Sequence, residues 1–185
     1  MASPIRCFLD ANVLFSAAVR DLVVQLGVDG LLDLRWSDAV QDEWTYALAL
    51  TRPDLSPERL ARTRLRLEAA LPVARVANYE HLISTLVLPD PNDRHVLAAA
   101  MTAEASMILT FNLADFPRTS IPPVHPDQLL TTLAKATPVA LCATIKTVRT
   151  RLANPPTSPT GYLDILRRNQ LPLLADELAV STGIF

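Results

Sequence analysis

Short hydrophobic runs alternate along the chain with longer segments whose apolar side chains recur at helical spacing. The run at 5–9 is followed by Leu14, Ala18, Leu22 and Leu26, four residues apart; this pattern is typical of a strand followed by an amphipathic helix. The alternation predicts strands at 5–9, 31–36, 73–76, 106–110 and 121–124, and helices at 12–26, 37–51, 57–71, 79–86 and 90–105. Strands that alternate with helices predict a parallel sheet with helices on both faces.

The pattern changes after residue 125. It predicts helices at 126–136, 138–152 and 161–180, with a proline-rich joint at 154–159. We therefore predict an α/β domain over 1–125 and a helical C-terminal extension over 126–185. The helices of the extension carry apolar stripes, so we expect them to pack on the core or on a second chain.

Composition limits the class of protein. A chain of 185 residues, half of them hydrophobic, suits one compact domain with an appendage. No apolar run approaches the ~18 residues that a membrane span needs, and the N-terminus lacks the pattern of a secretory signal. We expect a cytoplasmic protein without membrane contact, in which Cys7 and Cys142 are buried and reduced.

The net charge of −2 excludes a protein that coats nucleic acid through bulk positive charge. Arginine supplies 15 of the 17 cations, and it is the better bidentate phosphate ligand. Arg59, Arg62 and Arg66 share one face of the predicted helix at 57–71. Two roles remain open for that face: contact with an RNA backbone, or a solvated surface with ion pairs such as one to Glu58.

Two acids occupy informative positions. Asp10 follows the first strand directly, where ligands bind in open α/β sheets; an ordinary turn residue is the alternative. Glu43 lies within the stripe that contains Val40, Trp44 and Ala47, so we expect it to face the core. A buried acid must be paired, neutralised or bound to metal, and a pair with an arginine is the alternative here.

Further oxygen donors follow in the second half of the α/β domain. Asp90 and Asp93 flank Pro91 at the start of a predicted helix, where capping is an alternative role. Thr110, Asn112 and Asp115 follow the strand at 106–110. A set of oxygen donors suits Mg²⁺ or Mn²⁺ rather than zinc. The histidines add nothing to it in this interpretation, because His95 is expected to project to a different side of its helix from Asp93.

Four segments, 8–14, 37–43, 90–100 and 109–117, resemble the PIN-domain ribonucleases, and more narrowly the VapC-like PIN toxins of bacterial toxin–antitoxin pairs. The resemblance covers residues 5–125. It implies a three-layer α/β/α fold and cleavage of RNA that depends on Mg²⁺ or Mn²⁺. Asp10, Glu43 and Asp93 match the three main acids of the family, which are both catalytic residues and metal ligands.

The same resemblance assigns supporting roles. Asn12 and Thr110 match polar positions beside the acids, and Ser16 matches a small polar position near the site. Many PIN domains carry Asp where this chain has Asn112. Asp115 is the candidate to replace it as a metal ligand, and Asp90 is a further candidate.

The resemblance also implies an RNA substrate, a cognate antitoxin and a homodimer. Two other interpretations remain open. An inactive PIN-like binding module is favoured by Asn112 and opposed by the three intact acids. Another Mg²⁺-dependent phosphohydrolase is opposed because the chain has no glycine-rich phosphate loop and no second acid two residues after Asp10.

Overall fold

The computed structural model describes residues 4–152 and 155–180 and contains a five-stranded sheet in the order β3-β2-β1-β4-β5. Every neighbouring pair of strands is parallel. The strands are β1 (Ile5–Leu9), β2 (Leu32–Ser37), β3 (Arg75–Val76), β4 (Met107–Leu109) and β5 (Pro123–Val124). All five predicted strands are present, and the two edge strands, β3 and β5, are only two residues long.

Ten α-helices connect and extend the strands in the described part of the chain. Six belong to the α/β part: α1 (Ala11–Phe15), α2 (Ala17–Val28), α3 (Asp38–Thr51), α4 (Pro57–Ala70), α5 (Glu80–Ile83) and α6 (Arg94–Thr102). Four form the extension: α7 (Pro126–Ala136), α8 (Pro138–Arg151), α9 (Pro159–Arg168) and α10 (Pro172–Ala179). Of the two 3₁₀ turns, Pro91–Asp93 directly precedes α6 and Leu113–Asp115 follows β4.

The strand order gives the helices their layers. The chain moves from β1 to β2 to β3 and then returns to β4, on the other side of β1. Right-handed crossovers then place α1 to α4 on one face of the sheet and α5 and α6 on the other. In agreement, α2 packs on β2, while α6 packs on β1, β2 and β4. The predicted three-layer α/β/α fold with C-terminal helices is confirmed.

Two predicted helices are each split in two. The helix expected at 12–26 breaks at Ser16, whose backbone is extended and whose hydroxyl accepts a hydrogen bond from the Val19 amide at 3.4 Å. Ser16 thereby caps α2, and hydrophobic periodicity carries no signal for such a cap. The helix expected at 161–180 breaks before Pro172, which has no amide hydrogen for a continuing helix. Its first half also begins earlier than expected, at Pro159.

The C-terminal extension packs on the α/β part through α2. Helix α8 lies against α2, and the Arg151 guanidinium donates to Gln25 Oε1 at 2.8 Å. The Thr144 hydroxyl donates to the Asp29 carboxylate. Buried side chains of both parts form one continuous hydrophobic cluster. Of the two expected outcomes, packing on the core or on a second chain, the structure shows the first.

Both cysteines are buried and neither forms a disulfide, as expected. Burial raises the pKa of the Cys7 thiol to about 12, so this thiol is protonated and unreactive at neutral pH. None of the helices within the described residues has the length and hydropathy needed to cross a membrane.

Candidate metal centre

Asp10 lies at the carboxyl end of β1, beside β4, where the order of the strands reverses. Its side chain is almost completely buried, with 8% of the residue exposed. One oxygen, Oδ2, accepts hydrogen bonds from Asn12 Nδ2 and from the Thr110 hydroxyl, both at 2.7 Å. Burial is the main cause that raises the pKa of Asp10, and the hydrogen bond from Thr110 opposes it. The carboxylate therefore occupies a site where its negative charge is poorly compensated.

Asn12 and Thr110 hold this carboxylate in one orientation. Asn12 Nδ2 also donates to Thr110 Oγ1 at 2.9 Å, and Asn12 Oδ1 accepts from the Phe111 amide at 3.1 Å. Thr110 Oγ1 accepts from the Asn112 amide at 3.0 Å. The network joins the ends of β1 and β4. Two of the residues that the resemblance assigned to supporting roles thus contact Asp10 directly.

Asp93 ends the 3₁₀ turn before α6 and belongs to the same group of acids. Its pKa is raised to about 6, first by burial and then by the charges of Asp115, Asp10 and Asp90, while His95 acts in the opposite sense. Asp90 also caps the turn, because its Oδ1 accepts from the Asn92 amide at 2.8 Å. The structure therefore brings four of the predicted acids to one end of the sheet.

Glu43 is also near this end, but the expectation that it faces the core is wrong. Val40 and Trp44 are buried, whereas 45% of the Glu43 side chain is exposed. The apolar stripe of α3 is broad, and Glu43 lies at its edge, where a helix passes from core to solvent. Glu43 Oε1 is 2.8 Å from His95 Nε2.

His95 is a residue of the site that the sequence interpretation set aside. It was expected to project away from Asp93, yet it lies within electrostatic range of Asp93 and Asp10 and bonds to Glu43. Its side chain is 14% exposed, and its Nδ1 is buried without a hydrogen-bond partner among the described residues. The available signal was its position in the first turn of α6, two residues after an acid.

The carboxylates do not form a finished coordination shell. Within residues 4–152 and 155–180, no three Asp, Glu, His or Cys side chains are close enough together to hold a metal ion as they stand. The donors nevertheless fit a hard divalent cation, since they are oxygens and three negative charges act on Asp93 against one histidine.

A cleft of about 880 Å³ opens beside these acids. Asn12, Glu43 and Asn112 line it where it meets the acids, and Ser16 lies in the same wall. The Ser16 hydroxyl donates to Asn169 Oδ1 at 2.6 Å, so Ser16 connects the site to the extension and contacts no acid through that bond.

The cleft contains arginines other than those of α4, for which contact with RNA is one of two open roles. Arg52 and Arg168 line it, and the sequence interpretation missed both because they lie far apart along the chain. Arg59, Arg62 and Arg66 are exposed on α4, as a solvated helix face would be. Arg66 lines a second cavity of about 500 Å³, together with residues of α2 and with Arg151.

Comparison with known protein families gives two matches. Residues 6–114 match the family described as PIN domain, which is more than half of the chain, and residues 126–180 match the family described as VapC50 C-terminal domain. No match was found among curated proteins or among solved structures.

Proposed function

This chain belongs to the PIN-domain family, with the C-terminal part of a VapC-like member, and from that premise we propose that it is an endoribonuclease, the toxin of a type II toxin–antitoxin pair. It would hydrolyse RNA phosphodiester bonds with Mg²⁺ or Mn²⁺ as cofactor. The observation that carries the proposal is the group of acids Asp10, Asp90, Asp93 and Asp115, in which burial first and then the neighbouring carboxylates raise the pKa of Asp93 to about 6.

A divalent cation is the ligand that this group of acids favours. Asp10 is buried and its hydrogen-bond partners Asn12 and Thr110 are neutral. Among the nearby ionisable side chains, His95 opposes the rise in the pKa of Asp10, whereas Glu43 adds to it. Asp93 is further destabilised by neighbouring carboxylates. A bound cation would stabilise the buried charge of Asp10 and would also relieve the repulsion at Asp93. It would do so because it compensates several negative charges at once.

Asp10, Glu43 and Asp93 would hold the ion. Asn112 is uncharged, so it cannot supply the carboxylate that many PIN domains carry at this position. Asp115 is the candidate to bind the ion in its place, because its charge acts on Asp93. Asp90 is a further candidate. When bound, the ion would lower the pKa of a water molecule and neutralise charge that develops on the phosphate.

The residues around the acids would act by fixing them. Asn12 and Thr110 hold the Asp10 carboxylate before any ligand arrives, so that less side-chain freedom is lost on binding. His95 would restrain Glu43, whose side chain is half exposed, through the hydrogen bond between them. The cleft gives an extended substrate access to this end of the sheet.

We further propose that the protein acts in the cytoplasm as a homodimer that a cognate antitoxin inhibits. Tyr46 and Leu50 support a protein interface, because they lie one turn apart on α3 and each is about two thirds exposed. Light scattering at high micromolar concentration should give twice the monomer mass. A strict monomer would contradict the dimer.

The nuclease proposal is tested with a labelled single-stranded RNA, purified protein, and either Mn²⁺ or EDTA. We expect cleavage with Mn²⁺ and none with EDTA. Asp10→Asn and Glu43→Gln should each reduce the rate at least about 100-fold, the scale on which loss of one charge-stabilising group acts. Asp42→Asn is the matched control, because Asp42 neighbours Glu43 but pairs with Arg64 on the surface.

The same assay separates the alternatives. RNA binding without cleavage in Mn²⁺ would identify a binding module. Hydrolysis of a phosphomonoester such as p-nitrophenyl phosphate, with RNA left intact, would identify another phosphohydrolase. Cleavage at the same rate in EDTA would contradict the metal-dependent mechanism.

A further inference from the structure

The C-terminal extension supplies one wall of the cleft that opens at Glu43. That wall consists of Arg168, Asn169 and Gln170, at the end of α9, while Asn12 and Glu43 line the end near the acids. The cleft therefore joins the candidate metal centre to a part of the chain outside the residues matched to the PIN domain.

This wall is held in place rather than loosely appended. Asn169 Oδ1 accepts from the Ser16 hydroxyl at 2.6 Å, and Asn169 Nδ2 donates to the Ile165 carbonyl at 2.8 Å. The next buried residue, Leu171, is fully enclosed, and its amide donates to the Leu166 carbonyl at 3.0 Å. Because both sides of the turn are anchored, Arg168 projects from a rigid support.

Arg168 differs from its neighbour in how its charge is compensated. Arg167 forms ion pairs with Asp164 at 3.2 Å and with Asp176 at 3.0 Å. Arg168 forms no ion pair with any residue in the described ranges. Arg52, the other arginine of the cleft, is already bound by both oxygens of Asp54 at 2.7 Å. Arg168 is thus the cation that remains available to an anionic ligand in the cleft.

The chemistry of the cleft matches a single nucleic-acid strand. A guanidinium binds phosphate oxygens in a bidentate manner. Phe15, which is 38% exposed, also lines the cleft, and an exposed ring offers a stacking surface to an unpaired base. We propose that Arg168 binds a backbone phosphate of single-stranded RNA in this cleft, so that the extension is part of the substrate site. The inference rests on the proposed function in taking RNA as the ligand.

The test measures binding separately from cleavage. A fluorescent single-stranded oligoribonucleotide is titrated with full-length protein in EDTA at several salt concentrations. We expect Arg168→Gln to weaken binding about tenfold, the loss of one charge-assisted contact. The slope of log K against log salt should become shallower by about 0.7, as for one lost phosphate contact on a single strand. Arg167→Gln, which removes the same charge one residue away, should change neither quantity.

A second measurement uses cleavage in Mn²⁺. Arg168→Gln should raise KM about tenfold and leave kcat unchanged, because the contact lies away from the reacting atoms. Unchanged melting temperatures of both variants exclude misfolding.

Several results would overturn the inference. Equal weakening by the two variants would mean general surface charge, and equal affinity for duplex RNA would exclude a single-strand site. If the Arg168→Gln variant binds RNA normally, or if the unmodified protein binds no RNA, the inference is wrong. The cleft would then bind another ligand, such as a protein partner. If binding requires Arg168 but the unmodified protein does not cleave, the proposed function fails and the inference stands. If cleavage occurs and Arg168→Gln leaves KM unchanged, the inference fails and the proposed function stands.

Discussion

The protonation state of Asp93 should affect the free energy of unfolding of this protein. Its pKa is raised to about 6 in the folded protein, against about 4 in an unfolded chain. The folded state therefore binds more protons than the unfolded state between these values, and the free energy of unfolding falls as pH rises from 4 to 6. The loss is about 1 kcal/mol, less than the full shift implies, because Asp93 is only partly buried and solvent screens its neighbours.

The substitution Asp93→Asn should remove this effect. Without metal, the variant should melt a few degrees higher than the unmodified protein at pH 7, because about 1 kcal/mol corresponds to roughly 2–4 °C at this size. The rise in melting temperature caused by Mn²⁺ should be smaller in the variant, because the variant lacks one carboxylate that would bind the ion. Thermal-shift measurements from pH 5 to 8, with and without Mn²⁺, check both. A lower metal-free melting temperature with the Mn²⁺ effect intact would make Asp93 a structural residue.

His95 should act by positioning Glu43. His95→Ala removes the hydrogen bond to Glu43 Oε1, so we expect Mn²⁺ affinity and cleavage to fall about 10- to 100-fold, as when a residue that orients a ligand is removed. His95→Gln retains a donor and should restore part of both. His81→Ala, in the helix packed against α6, is the control. Equal loss in the Ala and Gln variants would contradict a positioning role.

Single residues also show how far the sequence could identify the site. Asp10, Asp90, Asp93, Thr110 and Asp115 could be proposed as site residues because each follows or precedes a strand or helix boundary, and boundaries are readable from hydrophobic runs. Glu43 was selected on the wrong ground, since its periodicity predicted burial and it lies half exposed. His95 was set aside because its role depends on a contact between α3 and α6, and no local pattern reports a contact across 52 residues.

At the scale of helices and strands, local signals located the elements but not all their breaks. Ser37 and Ser56 cap α3 and α4 at the starts predicted for these helices, and Pro126 begins α7. Ser16 was missed as a cap because apolar residues continue at helical spacing on both sides of it. The start of α10 is fixed from a distance: the buried Asp127 on α7 accepts hydrogen bonds from the Leu173 and Leu174 amides at 2.9 and 2.8 Å.

Asp127 should therefore be a major stabilising residue of the extension. Asp127→Ala leaves two amides at the start of α10 without their acceptor, so we expect a loss of about 2 kcal/mol and a fall in melting temperature of roughly 4–8 °C. Gln128→Ala, at the exposed neighbouring position, should have almost no effect. Urea unfolding of the two variants makes the comparison. Equal stability of both variants would contradict the capping role of Asp127.

At the scale of the whole molecule, the order of strands and helices was readable because each element carries its own period. The way in which the extension packs on the α/β part could not be predicted from the sequence. Apolar stripes predicted that the extension packs on something, and the choice of α2 as its partner depends on Thr144, Arg151 and Asn169 meeting residues over 100 positions away. The same long-range contacts place Arg168 in the cleft, so the sequence alone offered only the arginines of α4 as candidates for contact with RNA.

The two parts share one hydrophobic cluster, so we expect the full chain to unfold in a single transition, with equal calorimetric and van't Hoff enthalpies.

Deleting residues 157–185 removes α9 and α10, whose Tyr162, Leu166, Leu171 and Leu174 are almost completely buried. It also removes the two amides that donate hydrogen bonds to Asp127 on α7. Exposed apolar surface from α7 should then cause aggregation and binding of a hydrophobic dye. In the intact chain, Leu166→Ala should cost about 2–5 kcal/mol without changing solubility to the same degree. A soluble truncated chain that melts cooperatively at the original temperature would mean that the α/β part folds independently of these helices.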